Sequence, residues 1–247
     1  IASRYQVDGV QLDYIRYPFQ DPSAERTYGY GEAGRSLFKE KTGIDPLNIS
    51  PDDRQLWQQW TDFRTGQIDS FVAEISELLH RENPDLTLSV AVFALTEHDR
   101  IHKLQQHWEN WIDSGTVDLV VLMSYALDTN RLQELVEPLL TQPSRVPILP
   151  SVKLHDLSAI EAIDQLQAVR DLPTNGYALF AAEMLRDSLH GVLSRTQPPD
   201  AAQPLPHRQP IAAARDRFLS LRREWEVLLA DDRLWLPELE LGELNGQ

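Results

Sequence analysis

The sequence predicts an α/β fold that forms part of a (β/α)8 barrel of the TIM type, and three observations support this. Five short apolar runs alternate with amphipathic segments, a pattern typical of strand-helix units that build a parallel sheet. The Gly-rich stretch YGYGEAGRS lies inside a long loop rather than at a strand-helix junction, which disfavours an open nucleotide-binding sheet. Polar side chains follow the apolar runs, at the strand ends where barrel enzymes carry out their chemistry.

The predicted elements follow in regular order. The strands are residues 7–12, 86–93, 117–125, 146–152 and 176–180. The helices are residues 52–82, 98–114, 129–141, 156–170 and 182–195. The helix after the first strand is expected to have Ser50 as its N-cap, because Pro51 suits the first helical position. Its Trp57 and Trp60 are interpreted as core residues rather than a sugar-stacking platform.

Five strands are fewer than the eight that a closed barrel contains. The barrel interpretation therefore places three more strand-helix units before Ile1, and the helical character of "IASRYQ" supports this expectation. Without them the first and last strands have uncovered edges, so we expect this chain by itself to be inactive and to be unstable or self-associating.

The composition changes near Thr196. We assign residues 1–195 to the barrel, residues 196–210 to a Pro-rich linker and residues 211–247 to a helical C-terminal extension. An isolated amphipathic helix is marginally stable in water, so this extension is expected to pack on the main domain or on a partner.

Charge and composition exclude several classes of function. The 23 basic and 38 acidic residues give a net charge of −15, which disfavours nucleic acid as a partner. No apolar run approaches the roughly 20 residues of a membrane span. The chain has no cysteine, which excludes disulfides and thiolate chemistry. His98 and His102 are four residues apart but have no obvious third ligand, so we predict neither a metal nor a cofactor.

Asp13 is the first candidate for a catalytic residue. It follows the strand "VDGVQL", and if Val10 and Leu12 face the helices, strand alternation points Asp13 into the mouth of the barrel. Further polar residues follow the other predicted strands at the same face of the sheet. They are Thr96, Glu97, Tyr125, Asp128, Lys153 and Glu183.

With these residues placed, the sequence resembles the glycosyl hydrolase-like 10 family, in particular its cyanobacterial members. The resemblance covers residue 1 to about residue 195, and the tail "REWEVLLADDRLWL" is also similar. The matching motifs are YQVDGVQLDYIRYP, WQQWTDFRTGQIDSFV, LSVAVFAL, VDLVVLMSYALD and GYALFAAEML. The resemblance implies a (β/α)8 barrel of which this chain holds strands four to eight. It also implies glycosidase-like activity, with peptidoglycan glycan strands as a possible substrate and an extracytoplasmic location.

The chain departs from the family at one position. Many members have two adjacent aspartates where this chain has Asp13 followed by Tyr14. Glycoside hydrolysis generally uses two carboxyl groups that flank the scissile bond, so a second acid must come from elsewhere. Glu183 and Glu97 are the main candidates and Asp128 is the third, although each also suits the first turn of a helix.

The remaining candidates would bind the substrate. Arg16 is expected to pair with Asp13 and keep it ionised. Tyr14, Tyr17 and Tyr125 offer flat rings and hydroxyls for sugar units, and Asp128 is included in this set if it is not catalytic. Lys153 would bind a carboxylate or lactyl group, or remain a solvated loop lysine.

Three hypotheses remain open at this point. The first is a glycosidase that uses Asp13 and one of the other acids. The second is a carbohydrate-binding or scaffold protein on a degenerate barrel, motivated by the missing second aspartate. The third is a barrel lyase or isomerase that uses Lys153, for which no carbonyl substrate is indicated.

Overall fold

The structure is a computed structural model, and it describes residues 2–141, 144–185, 187–196 and 210–230. The chain divides into two units, Ile1–Gln197 and Pro198–Gln247. The first unit contains the sheet and seven of the described α-helices. In the second unit the described residues form one helix, and residues 231–247 of the predicted extension lie outside the described residues.

Strands and helices alternate through the first unit. The strands are β1 (Gly9–Leu12), β2 (Thr87–Phe93), β3 (Leu119–Met123), β4 (Ile148–Lys153) and β5 (Ala178–Phe180). The helices are α1 (Glu32–Thr42), α2 (Arg54–Glu82), α3 (Glu97–Leu104), α4 (Trp108–Asp113), α5 (Thr129–Leu140), α6 (Ala159–Arg170), α7 (Asp187–Thr196) and, in the second unit, α8 (Pro210–Ala230).

The five strands form one sheet in the order β1-β2-β3-β4-β5, and every neighbouring pair is parallel. The sequence therefore correctly predicts an α/β fold with a five-stranded parallel half-barrel. Each crossover contains at least one helix, as parallel pairing requires. β1 and β5 lie at the two ends of the sheet.

The core lies between the sheet and its helices. Alternate residues of β2, namely Leu88, Val90 and Val92, are fully buried and belong to one apolar cluster with Val72 of α2. The residues between them face the opposite, concave side, where the Ser89 hydroxyl donates a hydrogen bond to Gln11 Oε1 of β1 at 3.3 Å. Strand alternation therefore separates an apolar helix-facing side from a concave side that carries polar groups.

The aromatic residues of α2 form a second core region, as the sequence predicts for Trp60. Trp60 is fully buried and contacts Phe38 of α1 and Phe63 of its own helix. Trp57 is partly buried beside this cluster. The helix α1 is not among the predicted helices, and its residues lie in the segment interpreted as a long loop.

Several predicted helix boundaries are wrong. The predicted helix 182–195 is a short 3-10 helix, Ala182–Met184, followed by α7, which starts at Asp187. The helix α2 is capped by Asp53, whose carboxylate accepts a hydrogen bond from the Leu56 amide at 3.1 Å, whereas Ser50 Oγ accepts one from Asp52 in the preceding turn. The predicted helix 98–114 is two helices, because Gln105 takes a left-handed backbone conformation with φ of 52°.

The break in that helix has a tertiary cause. Gln106, the next residue, is fully buried and joins two strand exits. Its side chain accepts a hydrogen bond from the Phe93 amide at 2.9 Å and donates one to the Ile15 carbonyl at 3.1 Å. The segment between α3 and α4 therefore fixes the loop after β1 against the end of β2.

Within the described residues, no helix combines the length and apolar character that a bilayer crossing needs.

Candidate active site

Asp13 directly follows β1 at the carboxyl end of the sheet, and it is exposed. Its Oδ1 accepts a hydrogen bond from the Tyr14 amide at 2.7 Å. Tyr14 has a left-handed backbone, with φ of 57°, and its side chain is 75% exposed. The β1 exit thus presents a carboxylate and an aromatic ring together, both open to solvent.

Arg16 does not form the expected ion pair with Asp13, although the structure describes both residues. The Arg16 amide donates to the Tyr14 carbonyl at 2.8 Å, which makes a tight turn and directs Arg16 elsewhere. Its guanidinium carbon lies 5.0 Å from the ring centroids of both Tyr14 and Phe93. One of its terminal nitrogens donates to the Tyr17 carbonyl at 3.2 Å. Arg16 therefore lies between aromatic rings.

Tyr125 follows β3 and is close enough to Asp13 for the two to interact electrostatically. Burial raises the pKa of Tyr125, a hydrogen bond with Ser151 opposes this rise, and the negative charge of Asp13 adds to it. The Tyr125 ring also stacks on Phe180 with centroids 5.4 Å apart. The exits of β3 and β5 are thereby joined by a ring contact, and the charge of Asp13 at the exit of β1 acts on Tyr125.

Tyr17 is half-buried and holds the loop after β1 in place. Its amide donates to the Leu104 carbonyl at 3.0 Å, and its ring centroid lies 5.9 Å from the guanidinium carbon of Arg64. Burial raises the pKa of the Tyr17 hydroxyl, and the Arg64 charge opposes this rise. The side chain proposed as a sugar contact thus also has a structural role in this loop.

Arg64 anchors the same loop from α2. It is fully buried, and burial lowers its pKa. One terminal nitrogen donates to Gln20 Oε1 at 3.1 Å and to the Tyr28 carbonyl at 2.8 Å. These bonds connect α2 with two points of the loop that begins at Asp13, and nothing in the sequence around Arg64 indicated this role.

Lys153 ends β4, as predicted, but it is engaged within its own loop. Its Nζ lies 3.5 Å from Asp156 Oδ2. The same Asp156 oxygen lies 2.5 Å from His155 Nδ1, and this hydrogen bond is the main reason why the pKa of Asp156 is lowered.

The three candidates for a second acid differ in their contacts. Asp128 is the N-cap of α5 and accepts a hydrogen bond from the Arg131 amide at 2.8 Å. Glu97 lies in the first turn of α3, and its carboxylate is 3.1 Å from His107 Nε2. Glu183 lies in a short 3-10 helix after β5, and within the described part of the chain its exposed carboxylate has no hydrogen bond or ion pair.

The two histidines on α3 contact each other and α2. Their ring centroids are 4.1 Å apart, and His102 Nε2 lies 3.0 Å from Gln58 Oε1. No group of three or more potential metal ligands occurs among the residues that the structure describes.

Two residues near the site were not identified from the sequence. Phe180 ends β5 and stacks on Tyr125, and Ser151 of β4 lies close enough to the same tyrosine to oppose the rise of its pKa. Strand alternation was the signal that could have found Ser151, because it lies two positions before Lys153 on the same face of β4.

Comparison with known proteins places the chain in a family. The model of the family described as glycosyl hydrolase-like 10 matches residues 1–165. The chain therefore belongs to the glycosyl hydrolase-like 10 family. No curated protein sequence matches it.

A solved structure with a similar fold is the glycoside hydrolase domain of PgaB (BpsB) from Bordetella bronchiseptica. The TM-score is 0.57 at 14% sequence identity, over 75% of this chain and 55% of that one. The chain thus spans about half the length of this structural relative. This similarity shows a barrel-type fold, in agreement with the family.

Proposed function

We propose that the protein is a glycosidase that cleaves a polysaccharide by carboxylate acid-base chemistry, with Asp13 as one of its two acids. The observation that carries this proposal is the exposure of Asp13 at the carboxyl end of the parallel sheet, the same end at which the rings of Tyr125 and Phe180 stack. No cation of the described residues forms an ion pair with Asp13, so its carboxylate is open to a substrate.

Glu183 is proposed as the second acid. Asp128 is engaged as a helix cap and Glu97 contacts His107, whereas Glu183 is exposed and has no partner among the described residues. Glu183 also follows the strand that ends in Phe180, and Phe180 contacts the tyrosine beside Asp13. Two carboxyl groups on opposite sides of a bound sugar are what glycoside hydrolysis requires.

Peptidoglycan glycan strands are the proposed substrate, which favours an extracytoplasmic location. The experiment uses peptide-free glycan strands and chitin oligomers, and measures the release of reducing ends over time. The measurement is made on this chain and on a version extended by any coding sequence that is found upstream of Ile1. Cleavage of either glycan supports a glycosidase, and binding without any cleavage contradicts it.

A non-catalytic carbohydrate-binding protein is the second candidate. It is favoured by Tyr14, which by the family resemblance stands where many members carry a second aspartate, and which is 75% exposed. An aromatic ring in that position adds contact area for a sugar and removes an acid. This candidate predicts saturable glycan binding with no new reducing ends.

A further inference from the structure

We propose that Arg64 is a positioning residue, which holds the loop after β1 in the conformation that presents Asp13 and Tyr14 to a glycan. This inference rests on the proposed function and adds a residue that controls the same site from α2. Arg64 is fully buried, whereas Asp13 and Tyr14 are exposed. Arg64 therefore acts on the site through the loop and not by contact with a substrate.

The guanidinium of Arg64 bonds to its own helix on one side and to the loop on the other. Its Nε donates to the Trp60 carbonyl and one terminal nitrogen donates to Thr61 Oγ1, both at 3.3 Å. The second terminal nitrogen donates to Gln20 Oε1 at 3.1 Å and to the Tyr28 carbonyl at 2.8 Å. Because a guanidinium is planar and its donors form a rigid fork, fixing one side to α2 aims the other at the loop.

The charge of Arg64 depends on the loop for its acceptors. Burial lowers the pKa of Arg64 to about 10, so the side chain stays charged at neutral pH. Among the described residues, no carboxylate forms an ion pair with it. Neutral oxygens and the rings of Tyr17, Trp57 and Trp60 surround it instead, with centroids 5.0 to 5.9 Å from the guanidinium carbon. Movement of the loop would leave a buried charge without two of its acceptors, which is costly.

Gln20 passes this restraint to the rest of the loop. It is 3% exposed, and its Oε1 also accepts a hydrogen bond from the Tyr28 amide at 2.8 Å. Its Nε2 donates to the Pro18 carbonyl at 3.0 Å, and its amide donates to the Lys103 carbonyl of α3 at 2.7 Å. Two loop segments, around Pro18 and around Tyr28, are thereby tied to α2 and α3 through one side chain.

Gly29 shows how closely the loop is fitted to Arg64. Its backbone has φ of +102°, and a Cβ added there would lie 2.8 Å from Arg64 Cδ and 3.0 Å from Tyr17 Cε1. A residue with a side chain could adopt neither this conformation nor this approach without displacing its neighbours. The loop thus lies directly over the arginine that holds it.

The restraint reaches the candidate site through Tyr17. Its amide donates to the Leu104 carbonyl at 3.0 Å, so the turn that contains Asp13 and Tyr14 is fixed by β1 at its start and by this network at its end. Tyr14 has φ of 57°, and such a conformation persists only where the surrounding structure determines it. Loss of the network would free the turn, and a displacement of about 1 Å at a reacting group can lower a rate about 100-fold.

The first test is amide hydrogen exchange on the full chain. The variant Arg64→Met removes the donors and keeps an unbranched side chain of similar length. The Gln20 and Tyr28 amides are expected to exchange about tenfold faster than in the wild type. The Val120 amide of β3, which donates to the Pro147 carbonyl at 3.0 Å, should keep its rate. Unchanged exchange in the loop, or equal acceleration at all three amides, overturns the proposal.

The second test is the steady-state cleavage of the peptide-free glycan strands or chitin oligomers, on the version extended by any coding sequence found upstream of Ile1. Arg64→Met is expected to lower kcat at least about tenfold at a temperature where the variant is fully folded, with a smaller change in KM. The matched control is Leu132→Ala, which removes a buried side chain of α5 in another core cluster and should keep the wild-type kcat. A wild-type kcat in Arg64→Met overturns the positioning role.

If Arg64→Met does not fold, Gly29→Ala disturbs the same contact from the loop side. Its matched control is Gly43→Ala, which also has a positive φ, of +75°, but whose added Cβ meets no atom within 4 Å. Only Gly29→Ala should accelerate loop exchange and lower kcat, and equal effects of the two variants contradict the proposal. Faster loop exchange with unchanged kcat overturns the positioning role and leaves the glycosidase proposal standing. A wild-type protein that cleaves neither glycan overturns the glycosidase proposal, and the exchange rates then decide separately whether Arg64 holds the loop.

Discussion

The ring of Tyr125 stacks on the ring of Phe180, with centroids 5.4 Å apart and planes inclined by 22°. Tyr125 follows β3 and Phe180 ends β5, so the contact joins the exits of two strands that are not neighbours in the sheet. Phe180 is 50% exposed, and the charge of Asp13 acts on Tyr125. Partly exposed aromatic rings and an accessible carboxylate therefore share the carboxyl end of the sheet, and glycoside hydrolysis uses groups of both kinds.

In the protein extended by any coding sequence found upstream of Ile1, the substitution Asp13→Asn is expected to reduce glycan cleavage by at least about 100-fold, because an amide cannot exchange protons or attack an anomeric carbon. Folding should be unaffected, because Asp13 is exposed and accepts a hydrogen bond from the adjacent Tyr14 amide, which an Asn carbonyl oxygen can also accept. Reducing-end release measures the activity, and the thermal midpoint measures the fold. A folded variant with full activity would contradict the assignment of Asp13 as a catalytic acid.

The substitution Glu183→Gln is expected to cause a loss of similar size if Glu183 is the second acid. Glu97→Gln is the matched control. The Glu97 carboxylate already contacts His107, so this variant should retain most of the activity. Activities are compared at saturating substrate so that binding effects are separated from the chemical step. The opposite result, with Glu97 essential and Glu183 dispensable, would reverse the assignment.

The strands were predictable from the sequence because strands buried on both faces form short apolar runs. The predicted strand 86–93 differs from β2, Thr87–Phe93, by one residue. The break between α3 and α4 was not predictable, because it depends on hydrogen bonds from Gln106 to Phe93 and to Ile15, which lies 91 positions away.

The position of Asp13 at a strand exit follows from strand alternation, but its environment does not. A charge partner three residues away is a reasonable expectation for Arg16. The left-handed conformation of Tyr14 places Arg16 against aromatic rings instead, and that conformation is uncommon for a tyrosine. The contact of Tyr125 with Phe180 joins residues 55 positions apart and depends on how β3 and β5 are arranged, which no local sequence pattern indicates.

The substitution Tyr14→Asn is expected to stabilise the fold slightly while weakening glycan binding. The backbone φ of 57° is costly for tyrosine, roughly 1 kcal/mol, and asparagine tolerates it better. The variant also loses the exposed ring and the stacking partner of Arg16. Urea unfolding and glycan titration measure the two effects. Tyr5→Asn, at another exposed tyrosine, should change neither property, and an unstable Tyr14→Asn protein would contradict the strain argument.

The substitution Asp128→Ala is expected to destabilise the protein by about 1 kcal/mol, because Asp128 caps α5 through the Arg131 amide at 2.8 Å. Asp128→Asn should restore most of the stability, since an Asn side chain caps almost as well. If Asp128 acts only as a cap, the Asn variant keeps its activity. Chemical unfolding and the reducing-end assay measure the two properties. A stable but inactive Asn variant would indicate that Asp128 is a catalytic acid.

The ion pair between Arg35 and Asp45 is expected to make stability depend on pH in the acid range. Two hydrogen bonds from the Arg35 guanidinium, at 2.6 and 3.1 Å, are the main reason why the pKa of Asp45 is lowered to about 2. In the unfolded chain an aspartate has a pKa of about 3.9. The folded state therefore binds protons less readily, and the resulting stability is fully present above about pH 4 and is lost as the pH falls towards about 2. Asp45→Asn should lower the denaturant midpoint at pH 7, and its difference from the wild type should shrink between pH 4 and pH 3. A difference that stays constant down to pH 3 would contradict the role given to this pair.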